Sequence, residues 1–194
     1  MITYGKRKRS KAPAVIIAVI ALTVIVAGGY FGYNRFIEGS YPIKYQSFVE
    51  RYSAENHLNK YFVYAVIKTE SGFDPSAESN VGARGLMQIM QDTFDWIKFK
   101  SDDESAVYYD MYNAEINIKY GCRLLGYLTE EFGNIEAVAA AYHAGRGNVN
   151  EWLADKRYSA DGVHLDEIPI SDTAHYVRKI KKAMDKYVKL YDKN

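Results

Sequence analysis

The chain has 194 residues, with 25 Lys+Arg against 24 Asp+Glu, 48% hydrophobic and 25% charged residues, one Cys and four Pro. That balance excludes a disordered, collagen-like or disulfide-stapled chain. Lys6, Arg7, Lys8, Arg9 and Lys11 hold five of the cations, so from Arg35 onward the remaining 20 face 24 acids; that part lacks the basic footprint of a nucleic-acid binder, and no nucleic-acid partner is expected.

Ala12 to Asn34 is a 23-residue stretch without a charge, rich in Val, Ile and Ala. About 20 apolar residues span the hydrocarbon core of a bilayer, so 12–34 is expected to be a single transmembrane signal-anchor helix behind a basic cytoplasmic segment, 1–11. The five cations before it outnumber the lone Arg35 just after it. The positive-inside rule then keeps the N-terminus in the cytoplasm and sends the rest of the chain outward. Tyr30, Phe31 and Tyr33 cluster at the outer end, where amphipathic rings favour the headgroup level. A cleaved secretory signal shares this pattern, with Ala27, Gly28 and Gly29 as a weak cleavage site, and a buried core helix is a further alternative. Residues 35–44, with Gly39, Ser40 and Pro42, read as a stalk. Residues 45–194 are about the size of one self-sufficient domain.

Past the stalk, apolar residues recur at helical spacing: Tyr45, Phe48, Val49 and Tyr52, then Val63, Val66 and Ile67. A helix is expected from about Asn113 to Phe132, with Ile118, Leu124, Leu125 and Leu128 inward and Gly133 as its stop. Cys122 on that helix is expected to be a small buried apolar residue. Asn134 caps a helix from Ile135 to His143, whose Ala137–Ala141 run permits close packing. Gly145 and Gly147 punctuate its end. A helix around Val149, Trp152 and Leu153 follows, and a last one runs from Ser171 or Asp172 to about Tyr191, with Val177, Ile180, Met184, Tyr187 and Val188 inward. Strand alternation is hard to find, so the domain reads as mainly α. Two stretches resist helix: 72–90 and 156–169. The first holds Leu86, Met87, Ile89 and Met90, too apolar for a solvated loop, and is expected to pack and line a groove.

The most informative residue is Glu70. It lies seven after Val63, four after Val66 and three after Ile67, on the same helix face, and in the last turn before Gly72 and Pro75. Burial and the negative end of the helix dipole both raise a carboxyl's pKa, which suits a general acid. Alternatively the carboxylate swings to water or pairs with Lys68 or Arg84. Asp74 and Glu78 are the nearest candidates for a second carboxylate. His57, His143, His164 and His175 are scattered without metal-ligand spacing, so no metal or cofactor is expected.

The segments Ala65–Pro75 (AVIKTESGFDP), Gly82–Ile89 (GARGLMQI), Ala141–Gly145 (AYHAG) and Asp172–Val177 (DTAHYV), in this order, resemble the lytic transglycosylase SLT-domain family, which has a lysozyme-like fold related to the g-type lysozymes. The resemblance runs from about Tyr45 to Tyr191. It implies a peptidoglycan-cleaving carbon–oxygen lyase of the bacterial cell membrane, with Glu70 as the catalytic acid and then base at the MurNAc–GlcNAc bond, leaving 1,6-anhydro ends. By the same resemblance Ser71 bonds to Glu70, Met87 and Gln88 line the saccharide cleft, and Tyr142, His143 and Tyr176 are cleft residues, Tyr176 near the acid. Two positions depart from the family pattern: His143 stands where Asn is usual, and Asp172 where Glu is usual. A histidine there makes binding pH-dependent, and His143→Asn is expected to flatten activity between about pH 5.5 and 7.5. Asp172 doubles as a helix N-cap. Two rival readings are a hydrolytic muramidase on the same fold and a catalytically idle glycan-binding scaffold of a cell-wall or secretion complex.

Overall fold

The structure is a computed structural model that describes residues 12–192, so the basic segment 1–11 lies outside the described residues. The chain divides into two units, Met1–Pro42 and Ile43–Asn194. In the first, helix α1 (Ala12–Ser40) continues six residues beyond Asn34, so the start of the expected stalk is helical, and Gly39 is a helical residue of its last turn. From Ile20 to Ser40 its mean hydropathy is 1.2, long and apolar enough to cross a membrane. Leu22, Val24, Ile25, Val26 and Phe31 are each exposed.

The second unit holds α2 (Gln46–Glu55), α3 (Lys60–Glu70), α4 (Gln91–Ser101), a 3-10 turn (Tyr108–Tyr112), α5 (Ala114–Phe132), α6 (Ile135–Ala144), α7 (Arg146–Ala154) and α8 (Ser171–Tyr191). No strand occurs among the described residues; two isolated antiparallel bridges, Glu78–Arg84 and Arg84–Ile89, pin the loop between α3 and α4. Helix α3 is central. Asn59 caps it by accepting from the Tyr61 amide at 2.8 Å, and Tyr61 to Ile67 are buried without interruption. Seven consecutive buried side chains mean the helix is enclosed on all sides, against α8 and α2 above all, rather than on a single stripe.

The ends of α5 and the start of α6 stand where the sequence puts them. Asn113 accepts from the amides of Glu115 and Ile116, Gly133 ends α5 at φ 72°, and Asn134 accepts from the Ala137 amide. Ala137 to Ala141 are all buried, and their small side chains let α6 pack between α5, α7 and α8. Cys122 is fully buried. Other details differ. Leu124 is only half-buried, and Ala183 takes the buried position expected of Met184, because the i+3 and i+4 positions after Ile180 share a face. Val188 is likewise half-buried. Gly147 lies inside α7; Gly145 alone, at φ 88°, closes α6 and opens α7. Helix α4, held by buried Phe94 and Ile97, has only that single i,i+3 pair to mark it in the sequence.

One buried polar residue organises the α3–α4 loop. Asn117 on α5 is fully buried; its Oδ1 accepts from the Met87 amide at 2.8 Å, and its Nδ2 donates to the carbonyls of Arg84 (2.9 Å) and Met111 (2.8 Å). The loop backbone comes so close that a Cβ on Gly85, at φ 74°, would lie 2.0 Å from the Met111 carbonyl oxygen. Asn117→Ala leaves the Met87 amide and the Met111 carbonyl unpaired, while the Arg84 carbonyl keeps the Ile89 amide, and is expected to cost roughly 2 kcal/mol or more, read as a lower urea midpoint at constant m-value. A midpoint unchanged within error would show that the loop holds itself.

Candidate active site

Glu70 is the last helical residue of α3, beyond the seven buried positions. It lines a cavity of about 370 Å³ with Thr69, His143, Asp172, His175, Tyr176 and Lys179. Burial drives the carboxyl up from the ordinary 4.5 to about 7, against the Tyr176 hydroxyl, which donates to Glu70 Oε1 at 2.6 Å and favours the ionised form. The group is therefore poised between acid and base near neutrality. Arg84 pairs instead with Glu78, at 3.3 Å.

Tyr176 faces Glu70 because α8 lays Thr173, Tyr176, Val177 and Ile180 along its buried stripe against α3. His143, at the last turn of α6, sets its ring 4.6 Å from that of Tyr176, and its Nδ1 is 3.1 Å from Thr173 Oγ1. Partial burial lowers the His143 pKa from 6.5, with Asp172 opposing. The neutral imidazole thus persists below the ordinary histidine range, and the expected pH window moves down: His143→Asn should alter the rate profile only on the acid side of pH 6.5. A changed slope above that value in steady-state rates would contradict this. Asp172 is exposed in the first turn of α8 and is not its N-cap, which is Ile170; the helix starts two residues earlier than an Asp172 cap requires.

The other expected residues are distributed differently. Ser71 does not bond to Glu70: its hydroxyl donates to the Leu86 carbonyl at 2.8 Å and accepts from the Phe73 amide at 3.1 Å, fastening the end of α3 to the loop. The Met87 side chain is fully buried rather than cleft-lining, held where α5 has no side chain: a Cβ on Gly121 would lie 2.2 Å from its sulfur. Its carbonyl accepts from the Tyr142 hydroxyl at 2.6 Å. Gln88, at φ 49°, spends its amide on the carbonyls of Gly85 (2.9 Å) and Ala77 (3.1 Å) and is half-buried. Asp74 binds Ser76 and Glu78 binds Arg84 and Tyr112, and neither lines the Glu70 cavity.

Tyr142 belongs to a second cavity, of about 330 Å³, with Asp92, Thr93, Trp96, Leu124, Leu128, Ala141, Gly145 and Arg146. Consecutive residues of α6, Tyr142 and His143, thus face two hollows on either side of one helical turn. The half-exposure of Leu124 follows from this hollow. Thr69, His175, Lys179 and Trp96 were not singled out from the sequence. Thr69 and His175 lie within the AVIKTESGFDP and DTAHYV segments, and Lys179 lies one turn beyond Tyr176 on the same face; Trp96 carried no signal.

Residues 47–164 match the Transglycosylase SLT domain family. The chain is 32% identical over 158 residues to the soluble lytic murein transglycosylase of Escherichia coli (strain K12), covering 80% of this chain and 24% of that one. It is 29% identical over 168 residues to the membrane-bound lytic murein transglycosylase C of Serratia proteamaculans (strain 568), covering 74% of this chain and 46% of that one. The crystal structure of the 70 kDa soluble lytic transglycosylase from Escherichia coli superposes with a TM-score of 0.71 at 27% identity, over 79% of this chain and 25% of that one. The chain belongs to the SLT transglycosylase family, with its lysozyme-like fold. It spans about a quarter of the length of the Escherichia coli relative.

Proposed function

We propose that this chain is a membrane-anchored lytic transglycosylase that cleaves the MurNAc–GlcNAc bond of peptidoglycan. The observation that carries the reading is one desolvated carboxyl, Glu70, held at a pKa of about 7 in a cavity large enough for saccharide. The names of its relatives support the substrate class. Protonated Glu70 gives its proton to the glycosidic oxygen as the bond to the anomeric carbon breaks. The carboxylate so formed then accepts the proton of the muramyl C6 hydroxyl as that oxygen bonds to the anomeric carbon. Glu70 returns to its starting state, the 1,6-anhydro ring closes and no water is consumed. Tyr176 orients the acid, His143 and Thr69 face the sugar, and the hollow around Tyr142 and Trp96 receives the neighbouring residues of the strand, with ring faces suited to pyranose stacking. Ser71, Met87 and Gln88 support the site through the backbone they hold.

In this reading 1–11 is cytoplasmic, 12–34 spans the membrane, 35–44 is the stalk and 45–194 the extracytoplasmic SLT domain. The 21-residue apolar span Ile20–Ser40 and the membrane-bound relative support the anchoring. The partners are glycan strands and the membrane, with a cell-wall or secretion assembly as the setting.

Asp172 favours a second reading. It places another carboxylate in the Glu70 cavity, where it could activate water for hydrolysis. Mass spectrometry of soluble products from the detergent-solubilised full chain on purified peptidoglycan separates the two. Anhydromuropeptides are the expected result; reducing-end products abolished by Asp172→Asn would make the protein a muramidase. The absence of any product would leave a glycan-binding scaffold.

A further inference from the structure

Away from Glu70, a cavity of about 300 Å³ opens at the other end of α3, between α2, α3 and the end of α8, lined by Gln46, Glu50, Lys60, Tyr61, Tyr64 and Tyr191. Tyr64 lies six residues before Glu70 on α3, about 9 Å along the helix axis. Its ring is 1% exposed and is fixed by stacking on Tyr187 at 5.3 Å. The Tyr64 hydroxyl has no hydrogen-bond partner among the described protein groups. Tyr64 is itself one of the cavity's walls, beside Glu50, Tyr61 and Tyr191. A buried hydroxyl left unpaired is costly, and phenylalanine would fill the same space without that cost.

The charges at the rim cancel. Lys60 Nζ donates to Glu50 Oε1 at 3.0 Å and Gln46 Nε2 donates to the same oxygen at 3.2 Å. An anion would have to displace Glu50 from Lys60, and a cation would have to displace Lys60 from Glu50. What the cavity offers without such exchange is aromatic surface, a phenol donor, and the carbonyl oxygen of Gln46 as acceptor. That set fits a neutral polyhydroxylated ring.

We propose that this cavity is a second saccharide site, taking a neutral pyranose such as an N-acetylglucosamine unit and holding a glycan strand independently of the Glu70 cavity. The choice of sugar rests on the glycan-directed function; the existence of the site does not. A tethered second contact raises the effective concentration of strand at the cleft.

The test is equilibrium binding of chitotriose to the full chain in detergent, followed by tyrosine ring NMR signals, for the wild type, Tyr64→Phe and Gln46→Ala. Tyr64→Phe removes an unpaired hydroxyl and is expected to melt no lower than wild type. Chitotriose should perturb Tyr64 and Tyr61 in the wild type. Each variant should weaken that perturbation about fivefold, the loss of one hydrogen bond, while cleavage of short soluble glycan strands is unchanged and release from whole sacculi falls. Titration of these rings by inorganic phosphate but not by chitotriose would overturn the proposal, as would chitotriose affinity at these rings that neither variant alters. A chain that binds chitotriose here but releases no products would sink the catalytic function and leave this site standing.

Discussion

Glu70→Gln is expected to lower release of soluble muropeptides by about 100- to 10,000-fold, the range that a positioned acid–base group contributes. The amide is isosteric, and its carbonyl oxygen still accepts from the Tyr176 hydroxyl, so the fold is retained. Stability should even rise. The carboxyl's pKa goes from 4.5 to about 7 on folding, so the protonated form is favoured by the native state. The wild type therefore has its full Glu70-linked stability below pH 4.5 and loses it as pH rises through about 7, a difference of roughly 3 kcal/mol. Gln cannot ionise and incurs no such loss. The variant should melt higher than wild type above pH 7, with the margin shrinking toward pH 4.5. An inactive variant whose melting temperature tracks the wild type at every pH would place Glu70 in water and remove the physical basis for its raised pKa.

Tyr176→Phe should produce the second largest effect, and its sign is fixed by the geometry. The hydroxyl donates to Glu70 Oε1 and stabilises the carboxylate. Its removal raises the Glu70 pKa further, so the alkaline limb of the kcat/KM profile, which falls as the acid deprotonates, moves to higher pH. The rate at neutral pH should drop about 10- to 100-fold, because the acid loses a charge-assisted hydrogen bond that aims it and that stabilises the anion left after proton transfer. A purely packing role for Tyr176 would lower the rate without displacing the limb. A limb displaced toward lower pH would contradict the arrangement outright.

The sequence made some of this legible and left the rest closed for definite reasons. The desolvation of Glu70 was readable from Val63, Val66 and Ile67, although the structure encloses α3 on all sides, so the periodic stripe was an incomplete picture of that helix. The AVIKTESGFDP and GARGLMQI segments located the loop, but not the direction of its side chains. Met87 faces the core because Asn117 and Gly121, about 30 residues further on, hold the loop against α5, and Ser71 spends its hydroxyl on the Leu86 carbonyl. Helix α4 escaped because two buried apolar residues in eleven leave too weak a period to read.

By itself the sequence determined what depends on neighbours along the chain. Asn113, Asn134 and Gly133 set helix ends through local backbone hydrogen bonds and a positive φ, and the uncharged run before Arg35 marked α1 although the helix continues to Ser40. The tertiary structure alone decided what depends on approach between distant segments. Tyr176 reaches Glu70 across 106 residues, Lys179 and His175 share the acid's cavity, and Tyr64 lines a hollow between α2, α3 and α8. Local backbone preferences are written residue by residue, whereas the desolvation that lifts Glu70 to a pKa of about 7 exists only once α3 is enclosed by the rest of the fold.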